Sequence, residues 1–197
     1  IIHSPNKSIR PIFNLCRLNA KQVIKNHISK EEKYTYAIQE LSNYLGLENI
    51  RKIEGYDVSH FSGDNAVAAC VVFSKQGPEK KSYRLFNIPT ELSGNDIGSL
   101  EHVMERRLKY YADSELKPNV ILIDGGKNQL NFVNSIINKS DHHDIKVISI
   151  VKGSKRVRAT ETIISEDGVI ELDKYSKAFL ILQEIRDESH RFAIRAQ

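Results

Sequence analysis

The residues whose types and spacing could support chemistry begin with Asp124, in the stretch Pro118 to Leu130, PNVILIDGGKNQL. The apolar run from Val120 to Ile123 is rich in β-branched residues, which predicts a strand buried on both faces. A helix is predicted from Lys127, directly after the glycine turn. A carboxylate at the carboxyl end of a parallel strand, before a glycine turn and a helix, is a usual position for a site in an open α/β sheet. The alternative is a turn that merely favours Asp and Gly, and the glycine spacing of a P-loop is absent.

Two further residues could act together with Asp124. Asp57 lies near the end of a strand predicted over residues 53–59, where it could also be an ordinary solvated carboxylate. His190 lies in the sequence DESHRF on a predicted terminal helix, where it could equally be a surface histidine. A neutral imidazole beside two carboxylates is a reasonable ligand for Mn²⁺ or Mg²⁺, or a proton donor near them.

The elements that position these residues follow from the hydrophobic periodicity. Short turns separate three predicted strands, which indicates an antiparallel meander. Two N-terminal helices are expected, the second capped by Ser29 with Glu32 three residues later. The predicted helices cover residues 13–27, 29–46, 97–111, 127–139 and 176–197, and the predicted strands cover 53–59, 66–73, 81–88, 120–123 and 146–151, with a small hairpin within 161–173.

This order of elements predicts an α/β fold of the ribonuclease H type, with three antiparallel strands followed by a β-α-β-α unit. We expect residues 1–48 to form an extended arm and helices that pack on an α/β domain of residues 49–197. Asp57 and Asp124 should then lie side by side on adjacent central strands of a sheet with five main strands. Two carboxylates that close repel each other, and a hard divalent cation is the usual way to keep both ionised.

The composition is that of a globular protein, and it sets limits on the partners. The 197 residues include 40% hydrophobic and 27% charged ones, and the net charge of +4 mildly favours a polyanionic partner. Cys16 and Cys70 lack metal-ligand spacing, which indicates a reducing compartment. The longest apolar run, residues 66–73, is too short to span a membrane. Because the first residue is Ile1, we expect the chain to be a piece of a longer polypeptide.

Six stretches of the sequence resemble one known family. They are PNKSIRPIFNLCRLNA, EGYDVSHFSGDNAVAACVVF, YRLFNI, GNDIGSLEHVMERRL, PNVILIDGGKNQLN and LQEIRDESHRFAI, in the family's order along nearly the whole chain. The chain is thereby similar to the C-terminal endonuclease half of UvrC, the excinuclease of bacterial nucleotide excision repair. Two of these motifs together form a specific signal for that family. The first is DGGK with a Gln shortly after it, and the second is RDE followed, one residue later, by HRFA.

The resemblance implies a ribonuclease H fold and the 5′ incision of damaged DNA. It places the family's Asp-Asp-His triad on Asp57, Asp124 and His190, with Mn²⁺ or Mg²⁺ as the cofactor, and a further functional aspartate on Asp96. It also implies a cytoplasmic protein, expected as a monomer, that acts on damaged double-stranded DNA. Contact with the UvrB-DNA pre-incision complex would use family segments that this chain does not contain.

Basic residues around the predicted metal site are candidate DNA contacts, because Lys and Arg hold phosphates without reading bases. Lys127 and Lys152 are predicted near the metal, and the outer contacts are predicted to be Arg84, Arg106, Arg107 and Arg191.

Two other functions remain open at this point. An endonuclease V-like enzyme would share the fold and the first-strand aspartate, but it should lack the DGGK and HRFA stretches. A DNA-binding or partner-binding scaffold with a degenerate site would not need the intact triad.

Overall fold

The computed structural model describes residues 10–60, 66–152 and 161–195, apart from the side chains of residues 24–30, 60 and 152. Its helices are α1 (Arg10–Leu45), α2 (Asp96–Leu108), α3 (Lys127–Lys139) and α4 (Lys177–Arg195). Its strands are β1 (Lys52–His60), β2 (Ala66–Ser74), β3 (Gly77–Pro78), β4 (Arg84–Ile88), β5 (Val120–Asp124), β6 (Lys146–Lys152), β7 (Glu161–Ser165) and β8 (Gly168–Ile170).

All of these strands belong to one mixed sheet. The strand order is β3-β2-β1-β5-β6-β7-β8, and β4 also pairs with β2. The central strands β1, β5 and β6 are parallel, whereas the other pairings are antiparallel. The predicted meander is present as β1, β2 and β4. The sheet is larger than the five main strands expected, because β3 adds two residues and the β7–β8 hairpin extends the sheet beyond β6.

Helices cover both faces of the sheet. On one face, Arg107 of α2 reaches Glu54 of β1, and α3 packs beside α2. On the other face, α4 crosses β1 so closely that a Cβ added to Gly55 would overlap Ile185. Because side chains alternate along a strand, Glu54 and Gly55 face opposite helix layers. The central strand β5 is apolar and buried along residues 120–123, which agrees with the prediction of a strand covered on both sides.

The N-terminal segment differs from the prediction, since the two expected helices are one continuous helix, α1. No Gly or Pro occurs between Ile12 and Leu45, so nothing in the chain forces a break at Ser29. Gly46, with φ at 65°, ends the helix as predicted. The second half of α1 packs on α4 and buries Ile38, whereas the side chains of residues 10–23 are exposed. The boundary at residue 48 stays a prediction.

Among the described residues, no helix is both long and apolar enough to cross a membrane.

Candidate functional site

The candidate site begins with Asp57, in the second half of β1, where that strand runs between β2 and β5. Asp57 is 7% exposed, and its Oδ2 accepts a hydrogen bond from Ser59 Oγ at 2.5 Å. Asp57 lies on the same face of β1 as Gly55, which is the face that α4 covers. The strand and the helix together hold this carboxylate near the protein surface.

Asp124 is the last residue of β5 and is half-buried. The parallel register pairs Tyr56 of β1 with Ile123 of β5, so Asp57 and Asp124 are the next residues on two adjacent strands. Residues at matching positions of parallel strands point to the same side of the sheet. The backbone therefore directs both carboxylates from neighbouring strands towards the α4 face.

His190 comes to the site from α4, near the end of the chain. Its Nδ1 lies 3.3 Å from Asp57 Oδ2, and its side chain is 59% exposed. The helix reaches this position because it packs on β1 and β2, with Ile185 against Gly55. The structure thus brings together Asp57 and His190, which are far apart in sequence, and leaves the imidazole accessible from solvent.

The turn after Asp124 is held by two residues that the sequence reasoning did not identify as functional. Ser149 Oγ, in β6, donates a hydrogen bond to the carbonyl oxygen of Ile123 or that of Gly125. Gln129 Oε1 accepts a hydrogen bond from Gly126 N at 2.6 Å. Gln129 stands at the third position of α3, where a Gln or Glu often closes a capping box, and that pattern could have identified it. Ser149 lies in a buried strand and carries no comparable signal.

Asp96, the further aspartate predicted from the resemblance, lies in the first turn of α2. Its Oδ2 accepts a hydrogen bond from Gln129 Nε2 at 2.8 Å. The preceding Asn95 caps α2 by accepting a hydrogen bond from Gly98 N at 3.0 Å, which fixes where the helix begins. Asp96 is therefore connected to the Asp124 turn through Gln129.

The opposite face of β1 carries a buried polar cluster around Glu54, which is fully buried. Arg107 is 4% exposed and donates hydrogen bonds to Glu54 from Nε at 3.1 Å and from Nη2 at 2.5 Å. The hydroxyls of Tyr56 and Tyr111 each donate to Glu54 Oε2 at 2.5 Å. The prediction of Arg107 as an outer DNA contact is contradicted by this burial, since its guanidinium serves the core.

The pKa values within this cluster are shifted in ways that keep the ion pair and its donors intact. Burial raises the pKa of Tyr56 and of Tyr111 well above the usual range, so both hydroxyls stay protonated and can donate. Burial by itself would lower the pKa of Arg107, but hydrogen bonding to Glu54 and the negative charge of Glu54 outweigh it. The result is a raised pKa, and the guanidinium remains charged.

Comparison with known proteins identifies the family of this chain. Residues 42–194 match the family model described as the UvrC RNase H endonuclease domain. The chain belongs to that family. The predicted ribonuclease H-like mixed sheet is thereby confirmed, and so is the resemblance that the six stretches indicated.

Curated relatives of this UvrC domain agree with the family model. The chain is 38% identical over 178 residues to UvrABC system protein C of Saccharophagus degradans, a match that covers 89% of this chain and 29% of the relative. It is 37% identical over 186 residues to the protein of the same name from Legionella pneumophila, covering 93% of this chain and 29% of the relative. The chain thus spans less than a third of the length of these relatives.

Solved structures similar to this UvrC domain include the catalytic domain of human endonuclease V, at a TM-score of 0.46 and 12% identity. That match covers 81% of this chain and 94% of the other. Endonuclease V of Ciona intestinalis, in complex with a DNA that contains inosine, has a TM-score of 0.41 and 17% identity, covering 69% of this chain and 60% of the other.

The side chains of the UvrC domain's site suit a divalent cation by their chemistry. Among the described residues, no three His, Cys, Asp or Glu side chains converge as a ready-made metal cage. Mg²⁺, however, commonly binds through one or two carboxylates together with waters and substrate phosphates. The nearly buried Asp57 and the adjacent Asp124 provide carboxylates of that kind, so the residues present fit an ion that is completed by substrate and water.

The basic residues predicted to contact DNA occupy different surroundings. Lys127 is exposed at the start of α3, beside the Asp124 turn. Arg84 and Arg106 are exposed on the α2 side of the sheet, and the Arg106 guanidinium lies 5.5 Å from the centre of the Phe86 ring. Arg191 donates to Glu188 from Nε at 2.6 Å, and that hydrogen bond is the main cause of its raised pKa.

The remaining predicted DNA contact, Lys152, ends strand β6, next to β5 in the sheet. Its side chain lies outside the described residues, as do residues 153–160, which follow it.

Proposed function

We propose that this domain is a metal-dependent DNA endonuclease that makes the 5′ incision beside a lesion in nucleotide excision repair. The observation that carries the proposal is the placement of Asp124 on the strand beside Asp57, together with the contact between Asp57 and His190. Asp57 and Asp124 leave adjacent parallel strands at matching positions, and His190 Nδ1 lies 3.3 Å from Asp57 Oδ2. Membership of the UvrC RNase H endonuclease family supports the reaction class.

In this proposal Asp57 is the principal metal ligand and Asp124 completes the site directly or through a water molecule. A divalent ion held there, Mn²⁺ or Mg²⁺, would supply positive charge at the phosphoryl oxygens and would favour the ionised form of a bound water. The Ser59 hydroxyl donates to Asp57 at 2.5 Å and orients this carboxylate. Low exposure of Asp57 strengthens its interaction with charge, because nearby water screens it less.

His190 has two roles open to it, as a third ligand or as the acid that protonates the leaving oxygen. Hydrolysis breaks the bond between phosphorus and the leaving oxygen, and that oxygen then needs a proton. The contact between Nδ1 and Asp57 fixes the orientation of the imidazole ring, and its 59% exposure lets a substrate reach it. Both roles need the α4 helix in its observed position.

The substrate proposed is damaged double-stranded DNA, held through its phosphates. Lys127 and Lys152 would hold the phosphates nearest the site, and Arg84 and Arg106 would contact the flanking backbone. Arg191 could reach a phosphate only by exchanging its bond to Glu188, so we place it among the outer contacts. Contact with a UvrB-DNA complex, a cytoplasmic location and a monomeric state belong to the same proposal.

Isosteric substitutions test the proposal in a full-length UvrC protein that carries this domain. With DNA labelled to report each cut separately, Asp57→Asn should lower the rate of 5′ cleavage by about a hundredfold or more. The 3′ cut and the thermal stability should be unchanged. Asp187→Asn is the matched control, because Asp187 is a carboxylate of α4 whose side chain is 69% exposed. If Asp57→Asn retains 5′ cleavage within a few-fold of the wild-type rate, the site is misplaced.

A further inference from the structure

Gln129 joins two segments that are distant in sequence, the first turn of α2 and the turn that follows Asp124. Its Nε2 donates to Asp96 Oδ2 at 2.8 Å, and its Oε1 accepts from Gly126 N at 2.6 Å. The orientation of the amide is determined by these partners, because a carboxylate can only accept and a backbone N–H can only donate. One side chain therefore satisfies both groups at once.

The glycine before Gly126 allows this contact. A Cβ placed on Gly125 would overlap Oε1 of Gln129 and approach its Cδ to 2.7 Å. Any larger residue at this position would displace the Gln129 side chain from the turn. On the opposite side, Ser149 Oγ donates a hydrogen bond to the carbonyl oxygen of Ile123 or that of Gly125. The backbone on both sides of Asp124 is thus held by side chains from α3 and β6.

We propose that Asp96 and Gln129 are positioning residues, which act on the reaction by holding the turn that orients Asp124. The carboxylate of Asp96 fixes the amide of Gln129, the amide fixes Gly126 N, and the backbone fixes the direction in which Asp124 leaves β5. Asp96 thereby influences the site without touching substrate or metal. This inference rests on the proposed function, since it assigns Asp124 a place in the reaction.

The competing explanation is that the Asp96 carboxylate itself acts on the metal or the substrate. Exchanging the donor and the acceptor separates the two explanations. In Gln129→Glu, two carboxylates face each other at the position of the 2.8 Å bond and repel, which opens the clamp. In the double variant Asp96→Asn with Gln129→Glu, the amide at position 96 donates to the new carboxylate, which still accepts from Gly126 N. The net charge equals that of the wild-type protein, and the carboxylate has moved from position 96 to position 129.

Two readouts are measured on the same proteins, with Asn128→Ala as the control at an exposed neighbouring position. Hydrogen exchange at the Gly126 amide reports the clamp in the absence of DNA and metal. We expect exchange about fivefold faster in Gln129→Glu and a return to the wild-type rate in the double variant. The 5′ cleavage rate in the full-length protein should fall about 10- to 100-fold in Gln129→Glu. This loss of rate should appear in kcat, with KM and the melting temperature unchanged. The double variant should regain most of the lost cleavage rate.

A double variant with a protected Gly126 amide and no cleavage would overturn the inference, because the carboxylate at position 96 would then act directly. Unchanged Gly126 exchange in Gln129→Glu would also overturn it, because the clamp would not exist. Failure of the proposed function is recognised separately, by Asp57→Asn retaining 5′ cleavage. The exchange measurement needs no substrate, so it decides whether the clamp exists in either case.

Discussion

The buried ion pair between Arg107 and Glu54 offers the strongest test of how β1 is held in place. We predict that Arg107→Met destabilises the domain by about 3–5 kcal/mol, the usual result of removing one partner of a buried pair. Arg107 is 4% exposed and Glu54 is fully buried, so water cannot replace the lost guanidinium. The hydroxyls of Tyr56 and Tyr111, which also donate to Glu54, are neutral and do not balance its charge.

Urea unfolding at neutral pH measures the effect, and Arg106→Met provides the matched control. Arg106 is the neighbouring residue of α2 but is exposed, so its replacement should change the free energy of unfolding by less than about 1 kcal/mol. Replacing Glu54 by Gln in the Arg107→Met background should recover part of the loss, because a neutral amide no longer leaves a buried charge unpaired. Equal stability of Arg106→Met and Arg107→Met would refute the reasoning.

Two further predictions concern the edges of the domain. Lys117 donates a hydrogen bond to Asp144 at 2.5 Å, and this bond lowers the pKa of Asp144. The ionised carboxylate therefore stabilises the fold at neutral pH. This contribution is lost as the pH falls through the lowered pKa. Since Asp144 is 62% exposed, Asp144→Asn should cost only about 0.2–1 kcal/mol at pH 7. The difference in melting temperature should vanish once the pH falls below the lowered pKa of Asp144. Glu40 of α1 accepts from Ala178 N at 2.8 Å and caps α4 from a neighbouring helix, so Glu40→Ala should lower the free energy of unfolding by about 0.5–2 kcal/mol. The exposed Gln39→Ala is its control, and equal loss in both variants would show that the cap contributes nothing.

The secondary structure around the site was largely predictable because its signals are local. The apolar run before Asp124, the glycines after it and the helical spacing from Lys127 predicted β5 and α3 close to their observed bounds. The three antiparallel strands and the terminal helix were predicted for the same reason. Where a local signal was weak, the prediction failed. Ser29 looked like a cap, but a serine is also tolerated inside a helix, and α1 runs through it.

Neighbouring residues of the same type show what local patterns leave undecided. Arg106 and Arg107 are adjacent on α2, and both were predicted to contact DNA. The angle at which α2 packs on the sheet turns Arg107 towards Glu54 and leaves Arg106 over the Phe86 ring. That angle depends on the shapes of many side chains from distant parts of the chain, and no short segment contains the information.

The same distinction applies to the candidate site. The sequence by itself determined the residue types, with Asp57 and Asp124 near the ends of strands and His190 on a terminal helix, because those positions follow from periodicity and from motif resemblance. Only the tertiary structure decided that His190 contacts Asp57 and that Asp96 contacts Gln129. A hydrogen bond forms between groups about 3 Å apart in space, whatever their separation in sequence, and only the packing of α2, α3 and α4 on the sheet sets those separations.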